Sequence, residues 1–174
     1  MTLRLRQPGS LTDLLNYRLA RLFALGGAPV IRLLEGRYGI ARREWRLLAT
    51  LAVHGALSPS ALAEQMQLDR PRTSRALASV LAKGLVARVA TPGDARRATI
   101  RLTEAGQRLH DRVFPEVAAI NARLVEALDD AAVRALDDAL TRLTEQAEQL
   151  NQTVVQDVRS DRHAGGRRGR TPLG

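Results

Sequence analysis

Residues 58–106 read SPSALAEQMQLDRPRTSRALASVLAKGLVARVATPGDARRATIRLTEAG, and this stretch decides the fold. Ser58 followed by Pro59 marks a helix start: a hydroxyl able to cap, then a residue whose missing N–H costs nothing in the first turn. Asp69 is a second capping residue. The helix it opens is predicted to run to about Lys83, where Gly84 ends it. The period then changes. Leu85 to Val89 is rich in valine and suits a short strand, Thr91-Pro92-Gly93-Asp94 suits a turn, and Thr99 to Leu102 suits a return strand.

Short helix, turn, second helix and hairpin, in that order, make a winged helix-turn-helix. This module places one helix in the DNA major groove and the hairpin beside it. On a helix turning about 100° per residue, Leu77, Val80 and Leu81 share one arc with Thr73 at its edge. Pro71, Arg72, Arg75 and Ser79 share the opposite arc. Arginines near the start of such a helix suit bases and phosphates, because the planar guanidinium pairs bidentately. Candidate DNA contacts are therefore Ser58, Arg70, Pro71, Arg72, Thr73, Ser74, Arg75 and Ser79 from the helices, and Arg88, Arg96 and Arg97 from the hairpin. An arginine on a narrow hairpin fits the minor groove. Asp94 is expected to stabilise the hairpin tip by pairing with Arg96.

Working outward, apolar residues recur at helical spacing from Leu11 through Leu14, Leu15, Leu19, Leu22 and Leu25, and again from Val30 to Leu34. Gly26 to Pro29 lies between, so one kinked helix or two abutting helices are expected. Residues 42–54 form a helix with Trp45, Leu48, Ala49 and Leu51 or Ala52 inward. A helix from Glu104 to about Leu128 is expected to bend at Pro115. Asp129 or Asp130 caps a last helix to about Gln156. The fold class is mainly α: a winged helix-turn-helix with a two-strand wing, plus long N- and C-terminal helices forming a dimer lobe. The expected divisions are a flexible lead (1–9), a dimerisation helix (10–40), a DNA-binding lobe (41–102), C-terminal dimerisation helices (103–157) and a disordered basic tail (158–174). The stripe Leu124, Leu128, Leu136, Leu140, Leu143 and Leu150 is wider than a winged domain alone covers, which points to a second copy.

Composition agrees. The chain has 174 residues, is 45% hydrophobic and carries a formal charge of +9, with Lys83 its only lysine. Excess arginine suits phosphate contact, and it also leaves room for an architectural DNA-binding protein with little sequence preference. Cysteine is absent, which excludes disulfides and thiolate chemistry. No signal peptide or apolar run of about 20 residues is evident, so a cytoplasmic location without membrane contact is expected. His54, His110 and His163 lack ligand spacing, and no metal or other cofactor is expected. No nucleophile motif or phosphate loop is present. Asp129-Asp130 and Asp137-Asp138 read as caps and exposed faces, so no enzymatic activity is expected.

The chain resembles the MarR family of bacterial transcriptional regulators. The resemblance runs through Leu68-Asp69-Arg70-Pro71-Arg72-Thr73-Ser74-Arg75 and Leu81-Ala82-Lys83-Gly84-Leu85-Val86. It continues in Asp94-Ala95-Arg96 and Leu102-Thr103-Glu104-Ala105-Gly106, and covers roughly residues 11–150. It implies a homodimer whose terminal helices intertwine, a palindromic operator on double-stranded DNA, repression of a catabolic or efflux operon, and release by a small aromatic acid or phenol. The cleft such an effector uses would hold Tyr17, Arg18, Tyr38, Arg43 and Trp45, an arginine pairing with a carboxylate and a ring stacking on Trp45 or Tyr17. The chain as a whole also resembles regulators of nicotinate and hydroxynicotinate catabolism in proteobacteria, which implies a pyridine acid as effector.

Overall fold

The computed structural model describes residues 4–91 and 94–157, with the side chains at 91, 94–97 and 154–157 left aside. Pro92, Gly93, the side chains of Asp94, Arg96 and Arg97, and the basic tail with His163 therefore lie outside the described residues. In order come a 3-10 turn (Leu11–Asp13), α1 (Leu15–Tyr38), α2 (Arg42–His54), α3 (Pro59–Gln65), α4 (Arg70–Ala82), β1 (Val86–Thr91), β2 (Asp94–Leu102), α5 (Glu104–Val125) and α6 (Asp130–Asp157). The fold is mainly helical, with one two-stranded antiparallel sheet. The chain divides between Leu124 and Val125 into two compact units.

In the first unit, α1 is a single helix. Gly26 to Pro29 neither breaks nor splits it. Pro29 removes only the N–H that would meet the carbonyl of Leu25, and both glycines serve close packing. A Cβ at Gly26 would lie 3.1 Å from Leu124 Cδ2, and one at Gly27 would lie 3.2 Å from a guanidinium nitrogen of Arg42. The helix stops at Gly39, which takes the left-handed conformation (φ 62°), and the Ile40 N–H returns to the Leu34 carbonyl at 3.1 Å.

The core forms where α2, α3 and α4 meet the sheet. Trp45, Leu47, Leu48 and Leu51 of α2 pack with Leu62 and Met66 at α3, Leu77 and Val80 of α4, Val86 of β1 and Ile100 of β2. Leu47 is fully buried, whereas Ala49 and Ala52 are half-buried, so the inner face of α2 is rotated from the one the spacing predicted. The start signals hold. The Ala61 N–H donates to Ser58 Oγ at 3.2 Å, and the Arg72 N–H to Asp69 Oδ1 at 2.8 Å.

The strands pair from Val86 opposite Leu102 to Ala90 opposite Ala98, with an irregularity at Ala90/Thr91. Leu57 adds a short bridge to Ile100 through two backbone hydrogen bonds of 2.7 and 3.0 Å. The root of the hairpin is locked to α5. Thr103 Oγ1 donates to the Gly84 carbonyl at 2.7 Å and accepts from the Gly106 N–H at 3.1 Å. The Thr103 N–H bonds the Leu85 carbonyl, and a Cβ on Gly106 would stand 2.0 Å from that same oxygen. The Leu-Thr-x-x-Gly run is therefore a helix cap joined to a close backbone approach. α5 continues through Pro115 without a break.

In the second unit, the Ala132 N–H donates to Asp129 Oδ1 at 2.8 Å, making Asp129 the cap of α6. Leu128, Leu136, Leu140, Leu143 and Leu150 are each at least 40% exposed.

Candidate nucleic-acid interface and adjoining groove

The N-terminal half of α4 presents its cations outward. Arg70, Pro71, Arg72, Ser74 and Arg75 are all exposed, while Thr73, Ala76, Leu77 and Val80 face the core. Arg72 Nε lies 3.2 Å from Asp69 Oδ2, so the cap residue also steers this guanidinium. Ser58 is spent on capping α3 and on a hydroxyl contact with Ser60. Arg88 projects from β1 and is exposed.

Two of the candidate DNA contacts belong elsewhere. Thr73 is buried, and its hydroxyl donates to the Asp69 carbonyl at 3.1 Å. Ser79 is half-buried and donates its hydroxyl to Glu44 of α2. Helical period places Ser79 with Arg72, but α2 lies over the C-terminal half of α4. The same stripe is thus open at one end and covered at the other.

Glu44 went unnoticed in the sequence reading because a glutamate in a first helical turn reads as solvated. Its side chain is 5% exposed. It accepts from the Ala41 N–H at 2.6 Å, from the Ser79 hydroxyl and from Lys83 Nζ at 2.7 Å. Burial pushes the carboxyl up, but the Lys83 ammonium, the Ser79 hydroxyl and the Ala41 amide together outweigh it and hold it below its ordinary range.

The five residues proposed for an effector do not converge on one site. Tyr17 and Arg18 lie exposed near the start of α1, and Arg43 is exposed on α2. Tyr38 donates to Glu116 Oε1 at 2.5 Å, and Arg37 pairs with the other oxygen of that carboxylate at 2.6 Å. The hydrogen bond to Glu116 raises the Tyr38 phenol above its usual value, and burial adds to the rise. Trp45 is buried and stacks on His110 (centroids 5.4 Å, planes 14° apart), which in turn stacks on Phe114 at 5.6 Å. Tyr38 and Trp45 are thus committed to α5 rather than open to a ligand.

A different place has the character of a ligand site. Leu19, Ala20, Leu22, Phe23, Gly26, Gly27 and Leu124 line an open groove of about 570 Å³ whose walls are almost wholly apolar. At its edge the Arg42 guanidinium lies 3.7 Å from the centre of the Phe23 ring, with the cation facing the ring's negative face. Burial lowers the Arg42 pKa, and the charge of Arg46 adds to this. Among the described residues no carboxylate pairs with it. Arg42 escaped notice in the sequence because its neighbour Arg43 has equal chemistry, and only the packing of α2 on α1 separates them.

The family model described as MarR family matches residues 38–97, which span α2 to the wing. Over this segment the chain is similar to the MarR family. The HTH-type transcriptional regulator FarR of Neisseria gonorrhoeae is 33% identical over 78 residues, or 45% of this chain and 53% of that one. The match thus spans about half the length of this curated relative. A MarR-family regulator from Rhodococcus sp. RHA1 is 25% identical with a TM-score of 0.69, covering 78% of this chain and 95% of its own. CouR from Rhodococcus jostii RHA1, solved with p-coumaroyl-CoA, is 26% identical with a TM-score of 0.67, covering 78% and 94%. The chain shares the winged-helix fold of these structures. No described helix is long and apolar enough to cross a membrane.

Proposed function

We propose that this chain is a MarR-family transcriptional regulator, a homodimeric repressor that binds a palindromic operator and releases it when an organic acid occupies the groove beside Arg42. The observation that carries the DNA reading is the outward row Arg70, Arg72 and Arg75 on the first two turns of α4. It lies where a recognition helix meets base edges and phosphates. Arg88, Arg96 and Arg97 are assigned to the wing contact, with Asp94 ordering its tip. Two exposed apolar stripes support the dimer. One lies on α1 (Leu19, Leu22, Phe23 and Leu25), and the other on α6.

The effector reading rests on an apolar trough ending in a guanidinium that no carboxylate among the described residues pairs. Such a pair suits a molecule with a hydrophobic ring or chain and one carboxylate. Ligand binding and DNA binding are then reciprocal: the acid weakens operator affinity by the factor by which operator weakens acid affinity. The test is a mobility shift at physiological salt. DNA upstream of the protein's own gene is compared with random DNA of equal length, and salicylate, hydroxynicotinate, p-coumarate and a medium-chain fatty acid are added in turn. Selective binding released by one acid supports the proposal. Equal binding to both duplexes, untouched by any acid, overturns it and favours an architectural role.

A further inference from the structure

The first turn of α2 touches three other helices through three side chains. Arg42 lies on Phe23 and against Gly27 of α1. Trp45 stacks on His110 of α5. Glu44 binds Ser79 and Lys83 at the end of α4. Lys83 also donates to the Gly39 carbonyl at 2.9 Å, so the α1–α2 corner and the C-terminal turn of α4 share one buried carboxylate.

Burying a carboxylate is a poor way to add stability, because its desolvation offsets what its partners return. What the carboxylate adds is direction. One of its oxygens takes the Ser79 hydroxyl, and the other takes Lys83 and the Ala41 amide. Ser79 stands seven residues beyond Arg72, about two turns less 20°, so both share one azimuth of α4. Holding Ser79 against α2 therefore sets the rotation at which Arg72, and Arg75 one turn on, leave the protein surface.

We propose that Glu44 is the positioning residue of the recognition helix. Its bonds to Ser79 and Lys83 set the rotation of α4 and so govern sequence preference rather than charge-driven affinity. This rests on the DNA-binding reading above. It also gives α2 a mechanical role. A shift of α1 or α5 against the first turn of α2 reaches the DNA-reading arginines through this carboxylate as well as through the shared core.

The experiment begins by selecting, from a random duplex library, the sequence that the full-length wild-type protein binds best. Fluorescence anisotropy then compares this duplex with a scrambled one for wild type, Glu44→Gln, Ser79→Ala and the double variant Glu44→Gln/Lys83→Met, alongside thermal midpoints. Glu44→Gln is expected to reduce the preference for the selected duplex about ten-fold, as one wrong base pair does, with binding to the scrambled duplex nearly unchanged. The double variant, which removes both members of the ion pair, also lacks the preference. Ser79→Ala, which leaves the ion pair intact, loses part of it. Folded variants with wild-type preference, or equal losses on both duplexes, overturn the proposal. A wild-type protein that selects no sequence overturns the DNA-binding reading and this inference together.

Discussion

Replacing Gly106 with alanine tests the junction that holds the wing on α5. In an open helix the change would stabilise the protein by about 1 kcal/mol, because glycine is the poorer helix former. At Gly106 the added Cβ would stand 2.0 Å from the Leu85 carbonyl oxygen and 3.0 Å from its carbon. The oxygen cannot swing away freely, since it accepts the Thr103 N–H at 3.1 Å. The strand root or α5 must move instead. Overpacking of this kind costs up to about 3 kcal/mol. After crediting helix propensity, the net loss is about 2 kcal/mol, or roughly 4–8 °C in midpoint for a chain of this size. Gly36 supplies the control: it lies in α1 with nothing within 4 Å of its would-be Cβ. Thermal denaturation at equal protein concentration is the assay. Gly36→Ala should hold or raise the midpoint while Gly106→Ala lowers it. A midpoint for Gly106→Ala at or above wild type would refute the close approach.

Three further outcomes are expected. Arg75→Ala should weaken operator binding by about 1–3 kcal/mol and relax one base preference, with little change on random DNA; unchanged binding at two salt concentrations would remove Arg75 from the interface. Glu44 has a folded pKa below its ordinary 4.5, so its stabilising contribution is complete above that pH and is lost as pH falls through the folded value. The stability gap between wild type and Glu44→Gln should therefore be widest near neutrality and close below about pH 4.5; a gap independent of pH would contradict the pairing. Arg42→Leu should abolish release by a carboxylic acid while leaving operator affinity within about two-fold, because Arg42 of α2 packs against Phe23 of α1 rather than against α4. Release that persists in this variant would place the effector elsewhere.

The helix starts at Ser58-Pro59 and Asp69, the stop at Gly84 and the hairpin that follows were legible in the residues alone. Capping, missing amide hydrogens and left-handed glycines act over three or four residues and need no partner from afar. The outward arginines of α4 followed from the same local period, as did the Asp129 cap of α6. What the period could not say is which helix lies over which end of a stripe. Ser79 and Arg72 share an azimuth, yet one meets a carboxylate and the other meets solvent, because α2 crosses only the second half of α4. Arg42 and Arg43 have the same chemistry, and only packing turns one toward Phe23. Gly26 and Gly27 read as a break, but the approach of Leu124 and Arg42 makes them contact points within a continuous helix. Glu44 looked like a solvated first-turn acid until Lys83, 39 residues away, closed on it. Sequence by itself determined the elements and the cationic face, because those depend on neighbours along the chain. Tertiary structure alone decided the buried carboxylate and the groove, because both are built from side chains that meet only after the helices pack.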